Sequence, residues 1–585
     1  MNSLLLLLMT LVVFFFGYRY FSKFLQQWAF RPGPNSAPAA PTEISPGLKS
    51  IAARIGNRSS QRHEILGAHF AAIATLSSIT GGGIALYWGW VPAFLWLVVG
   101  SSVAAGGFAL GSLWLRHRSL ETDTDNGTGS GLPSLLFGTF PRNLAPWIIG
   151  MIVLILIALG LLLTYLTAVI VASFPSVTWP LLVLLAVVGL AGRVTSNQHP
   201  VIGQRLPTYL IGITVVLLSI WISQGSTLGF SGGLNFDLSG QSLISVTGIS
   251  VWASLLLLFA IFVQRQPFEA WQKGLGVLST LLTLLVLVLF FIGLAIAHPN
   301  MSAPAYHAGA SPGFAPWLFI TLTSGAFAGF QFLIAYGQTA PKLPAETDSR
   351  YVGYGAALLE GLLALMVVLV FGATLGSKQA WVALYKTWND VPDGITMIGH
   401  FVNGVINSTN HLLLGDVYAE TLVALMLAGL SLSSMIAVIR LLRVLLQELS
   451  ARYHVPRLAS VKASSWFGFV LLLVLMLLLK PRSGAQALDQ ILAPAYYLLA
   501  SVAALLMVRA LMARRRPPSL AWGLFGFSTL IGIWGWAMLL DLWYGQALFV
   551  RLTLAIAGIG IYVALLVHAG RGFLRRPAAT TPPDA

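Results

Sequence analysis

The sequence predicts an all-α polytopic membrane bundle, and three observations carry that expectation. Hydrophobic residues make up 57% of the 585 residues and charged residues 9%, against roughly 25% charged in soluble domains. Apolar runs long enough to cross a hydrocarbon core recur along the whole chain. The lysines and arginines between them fall in alternate connections. A mean hydropathy of +0.82 exceeds what a soluble fold of this length can hide, whereas a bilayer is itself an apolar solvent.

The runs lie at 3–18, 66–87, 91–115, 145–173, 179–194, 207–224, 245–263, 274–297, 315–336, 352–376, 411–438, 464–480, 487–508, 519–541 and 552–569. That is about fifteen spans of the length a bilayer requires. The first is read as an uncleaved helix, because its positive charges follow the apolar run from Arg19 on, whereas a signal peptide carries them before it. With Met1 outside, the cytoplasmic connections hold 28 of the 33 Lys and Arg. The exceptions are Lys378, Lys386, Lys480, Arg482 and Arg551. This bias places the C-terminus in the cytoplasm and explains the net charge of +15 by topology, with no nucleic-acid partner required.

The chain divides into an N-terminal transmembrane helix (1–25), a cytoplasmic linker (26–64), a transmembrane core (65–463), C-terminal transmembrane helices (464–576) and a tail (577–585) expected to be disordered. The stretches 30–60 and 120–132 read as flexible connections, and 377–410 has an amphipathic pattern suited to the membrane surface. No connection is long enough for a soluble catalytic domain. The chain has no cysteine, which excludes disulfides and thiolate metal sites. There is no Walker A, His-Glu-x-x-His or Gly-x-Ser-x-Gly motif, and no metal or cofactor is expected.

Polar and helix-breaking residues within the spans are the candidate sites. Ala74 to Gly83 contains Thr75, Ser77, Ser78 and Thr80 beside Gly81, Gly82 and Gly83. Each glycine lowers helix propensity by about 1 kcal/mol relative to alanine, so this span is read as a broken helix whose freed groups contact a substrate. Close packing of small residues is the competing reading. Thr323, Ser324 and Gln331 form a second such stretch. Glu360 lies deep in its span, where a carboxylate costs at least about 2.5 kcal/mol and needs a cavity, a proton or a partner. Lys342, Glu346, Asp348 and Arg350 put opposite charges in one cytoplasmic loop, suited to an ion-pair gate or a static turn.

The segment from Phe319 to Glu360 resembles the hallmark of the carbon starvation protein A family. Thr321, Gly325, Ala326, Gly329, Phe330, Gly337, Thr339, Pro341, Lys342, Glu346, Asp348, Arg350, Gly353, Tyr354, Gly355, Leu359 and Glu360 all fit. Tyr18 to Ser22, His69 to Ala74, Met397 to His400 and Arg440 to Glu448 agree in order. The family's prolines are missing from Ala74 to Gly83, and Ile436 stands where the family carries an intramembrane carboxylate. The resemblance implies a bacterial inner-membrane secondary transporter of a peptide or a pyruvate-like carboxylate, linked to carbon starvation. It further implies a LeuT-like inverted-repeat core with the substrate at the broken span, and protons or sodium as coupling ion at Glu360. Two other readings stay open: a transport-defective sensor or regulatory subunit, and an intramembrane enzyme on a lipid-linked substrate using His400, Asp390 and Asp393.

Overall fold

The computed structural model describes residues 1–31, 48–126, 131–196, 205–225, 243–268, 270–326, 329–412, 414–478, 481–545 and 548–574. Among them the chain is helical throughout, with one isolated bridge between Asn2 and Asn300. Helix α1 (Ser3–Phe16) passes through a π turn (Gly17–Phe21) into α2 (Ser22–Trp28). Helices α3 (Leu48–Ile73) and α4 (Ser77–Ala85) are two halves of a bent span, and α5 (Trp90–Val99) passes through a second π turn (Gly100–Ala105) into α6 (Gly106–Asn126). Then come α7 (Leu132–Thr139), α8 (Ala145–Ser173), α9 (Thr178–Ser196), α10 (Arg205–Gly225), α11 (Leu243–Arg265) and α12 (Gln272–Ala297). Helices α13 (Trp317–Ala326) and α14 (Gly329–Ile334) lead through two further π turns, Ala335–Thr339 and Arg350–Tyr354, into α15 (Gly355–Ala373). The short helices α16 (Lys378–Tyr385) and α17 (Gly394–Thr409) precede α18 (Asp416–Arg452), α19 (Pro456–Ala459), α20 (Val461–Leu478), α21 (Pro481–Ala513), α22 (Ser519–Gly545) and α23 (Phe549–Leu574).

Eleven helical stretches among the described residues are long and apolar enough to cross a membrane, or twelve if α3 and α4 form one span. The difference from the expected count lies in three places. The stretches 207–224 and 245–263 are shorter apolar helices, Pro207–Ser223 and Ile249–Arg265, and 315–336 is described as α13 and α14 on either side of 327–328, which lie outside the described residues. Helix α3 also begins within the stretch expected as a linker. The connections at 127–130 and 226–242 and the tail from 575 lie outside the described residues.

Burial sorts the spans. The apolar window of α18 is 100% buried inside the protein, against 22% for α20. Helix α18 packs against α8, α12, α3 and α17 and forms the central pillar. Helix α1 instead turns Leu5, Leu8, Val12, Phe15 and Phe16 outward, as a lipid-facing helix does. Helix α21, expected among the C-terminal helices, lies inside the bundle against α8, α13, α14 and α22.

The bundle has two distinct ends. At the amino-terminal face, Ser3 N–H donates to Pro299 O (3.1 Å), Trp90 N–H to Pro304 O (3.1 Å) and His307 N–H to Trp88 O (3.1 Å). At the opposite, basic face, Arg62 lies 4.9 Å from the Tyr351 ring, Arg350 5.0 Å from Tyr18 and Lys342 5.8 Å from Phe268. Lys273 and Glu64, both buried, form an ion pair at 2.7 Å. The span α3–α4 therefore runs from the basic to the amino-terminal face, and α13–α14 runs the other way.

Three π turns meet at Tyr354. Its hydroxyl donates to the Ser102 carbonyl at 2.8 Å. A methyl added at Gly17 would lie 3.1 Å from that hydroxyl, and one at Gly106 would overlap the ring. A π turn leaves carbonyls without their usual partner, and Tyr354 supplies one.

Candidate functional site

The broken span is present, but its break precedes the glycines. Helix α3 ends at Ile73 and α4 starts at Ser77, and the two halves meet at 57°. The Thr75 amide turns back to the Ile73 carbonyl at 2.8 Å, which removes the normal donor to the Ala71 carbonyl. Ser434 of α18 fills that place, its hydroxyl donating to Ala71 O at 3.0 Å. A freed backbone group in an apolar interior is costly unless it is re-paired, so α18 stabilises the break with a hydroxyl. Ser434 was not among the sequence candidates.

The residues expected to line one substrate site point three ways from α4. Ser78 faces α15, its hydroxyl 3.5 Å from Glu360 Oε1. Thr80 and Gly81 line a cavity at the amino-terminal face. Gly82 and Gly83 serve close packing: a methyl at Gly82 would lie 2.8 Å from Val367, and one at Gly83 2.7 Å from Met397 Sδ. At these two glycines the neighbouring helices approach closely, as small residues allow. Thr75 is 1% exposed, and its hydroxyl has no partner among the described residues. The side chains of Ser77, Thr323 and Ser324 lie outside the described residues.

Gln331 sits on α14, 1% exposed, with neither amide atom hydrogen-bonded among the described residues. Helix α14 packs against α3 and against α21, where Gly329 meets the Leu499 and Ala500 backbone with no room for a side chain. Helix α13 packs against α4, and α15 packs against both halves of the broken span. Glu360 is fully buried, and its Oε2 has no partner among the described residues. The break is thus surrounded by elements that carry unpaired buried polar atoms, each costing roughly 1–3 kcal/mol if left so.

Toward the basic face, His69 Nδ1 and Thr339 Oγ1 are 2.8 Å apart. Gln272 donates to Gln338 at 2.7 Å, and Gln338 donates on to the Ala437 carbonyl of α18. The expected gate residues separate by burial. Glu346 and Asp348 are buried, Arg350 lies over Tyr18, and Lys342 is exposed beside Phe268. The Glu64–Lys273 pair was not foreseen, because its members are far apart in sequence.

The residues behind the enzyme reading have other work. Asp390 accepts from the Thr387 amide (2.9 Å) and hydroxyl (2.7 Å), and Asp393 caps α17 by accepting from the Thr396 amide at 3.0 Å. Burial lowers the His400 imidazole below its ordinary value. Among the described residues no group of three or more His, Cys, Asp or Glu could hold a metal ion.

The amino-terminal cavity, about 390 Å³, is bounded by α4, α13, the 388–394 segment, α21 and α22. Asp489, Pro494 and Tyr496 of α21 line it, and none of the three was a sequence candidate. Two signals were available, a carboxylate at the head of an apolar run and a proline inside one.

The profile of the family described as carbon starvation protein CstA matches residues 2–402. The pyruvate/proton symporter BtsT of Escherichia coli is 26% identical over 416 residues, 67% of this chain and 51% of that one. The peptide transporter CstA of Mycobacterium tuberculosis is 26% identical over 411 residues, 66% of this chain and 48% of that one. The chain spans about half the length of the curated relatives it matches. A solved manganese transporter of Eremococcus coleocola shares 13% identity with a TM-score of 0.47, over 92% of this chain and 99% of that one. On the family match across most of its length, this chain belongs to the carbon starvation protein CstA family.

Proposed function

We propose that the chain is a secondary transporter of a small organic solute in the bacterial inner membrane, with its amino-terminal face outside and its basic face in the cytoplasm. The observation that carries this reading is Glu360. It is a fully buried carboxylate, one oxygen facing Ser78 beside the helix break and the other unpartnered among the described residues. A charge held there costs at least about 2.5 kcal/mol, which a bound proton removes. A carboxyl that takes a proton on one side and releases it on the other links that proton to movement of the half-helix beside it. Named relatives include a pyruvate/proton symporter and peptide transporters, which supports a proton over sodium.

On this reading Thr75, Ser77, Ser78 and Thr80 contact the solute from one broken span, and Thr323, Ser324 and Gln331 from the other. The opposite directions of the α3–α4 and α13–α14 stretches support an inverted-repeat core. Lys342, Glu346, Asp348 and Arg350 form the cytoplasmic gate. The test is proton-driven uptake of labelled pyruvate and small peptides into proteoliposomes. Glu360→Gln is expected to lower uptake at least about 100-fold, the scale of losing an essential proton transfer group. Uptake that survives the substitution removes Glu360 as coupling site. Binding without uptake, in a preparation where a close relative transports, favours a transport-defective sensor.

A further inference from the structure

The amino-terminal cavity has a chemistry of its own. At about 390 Å³ it lies at the lower end of the roughly 300–1,000 Å³ usual for small-molecule sites. Asp393 and Asp489 line it, and among the described residues no Lys, Arg or His does. Asp489 makes no hydrogen bond or ion pair among the described residues. Tyr496, one of the cavity-lining residues, is 3% exposed and its hydroxyl makes no hydrogen bond among them either. Pro494, inside α21, has no N–H to give to the carbonyl four residues earlier. That carbonyl belongs to Gln490, which also lines the cavity. The rings of Trp317 and Trp388, 5.9 Å apart and tilted by 46°, also line it.

These walls present hydrogen-bond acceptors, negative charge and aromatic faces. An anion would find the Trp317 indole N–H and the Tyr496 hydroxyl as donors without partners among the described residues, but it would also face the Asp393 and Asp489 carboxylates with no cation among the described lining residues to offset them. An organic ammonium is met by carboxylate, carbonyl and ring faces together. We propose that this cavity is a binding site for the protonated amine of an apolar organic solute, with Asp489 as its counter-ion and Trp317 and Trp388 against its apolar part. The inference goes beyond the transport reading, since it concerns binding and holds whether or not the chain moves what it binds.

The test uses the full chain in nanodiscs and three probes on one carbon skeleton: L-leucinamide (ammonium), isocaproamide (neutral) and isocaproate (anion). Binding is read by calorimetry and by quenching of tryptophan fluorescence. The wild-type chain is expected to bind L-leucinamide at least about tenfold more tightly than isocaproamide, the scale of one charge-assisted contact. Asp489→Asn removes that preference, and Asp489→Glu retains most of it. Equal binding of ammonium and neutral probes by the wild-type chain overturns the proposal, as does an undiminished preference in Asp489→Asn. If Asp489→Asn does not purify as a single species, the wild-type comparison and Asp489→Glu decide. Uptake is not measured here, so failure of the transport reading leaves this result standing.

Discussion

The two ends of the bundle manage charge in opposite ways. At the basic face, charges are paired or stacked: Lys273 with Glu64, Arg350 on Tyr18, Arg62 on Tyr351. At the amino-terminal face, Asp489 stands on a cavity wall with no ion pair among the described residues. The helices thus end in paired or stacked charges on one side and a charged recess on the other. The basic end is held by pairs that are costly to break singly, and the amino-terminal end by packing and neutral hydrogen bonds.

Substitutions that remove one partner at a time test this contrast. Glu64→Ala is expected to have the largest effect. It leaves the buried Lys273 ammonium without its counter-charge and destabilises the chain by about 3–5 kcal/mol, read as a fall in Tm in detergent. Adding Lys273→Met should recover most of the loss, because the penalty belongs to the stranded charge. Gly82→Val comes next. Its side chain would enter the 2.8 Å gap to Val367, and overpacking of this kind costs about 1–3 kcal/mol. The same Tm assay should show a loss that Val367→Ala relieves. Tyr385→Phe is the mildest. It removes the hydrogen bond to the Gly83 carbonyl at 2.8 Å, worth about 0.5–1.5 kcal/mol, and should raise hydrogen exchange in α4 and α16 before it shifts Tm. If Glu64→Ala proves milder than Tyr385→Phe, the contrast between the two ends is wrong.

The helices themselves were legible, because a bilayer demands long apolar runs and the chain supplies them. The bend in the second span was legible from its composition, but its position was not. Three glycines looked like the breaking point, yet Gly82 and Gly83 lie within α4 and serve close approach to α15 and α17. In an apolar solvent a glycine's small size counts for as much as its weak helix propensity. The break falls at 74–76, where no glycine stands, and depends on Ser434 from a helix remote in sequence. Asp489 escaped notice because a carboxylate at the end of an apolar run reads as solvated, and only the packing of α21 inside the bundle places it on a cavity. Glu360 stood out from the start, since an isolated acid within a span has few explanations.

The convergence of three π turns on Tyr354 has a mechanical meaning. A π turn carries one residue more than an α turn, so converting one to α moves the chain beyond it by about 1.5 Å and turns it by about 100°. The spans α1–α2, α5–α6 and the start of α15 each hold such a reserve at one shared depth. Tyr354 is where these reserves touch, so one ring sets the register of three helices at once.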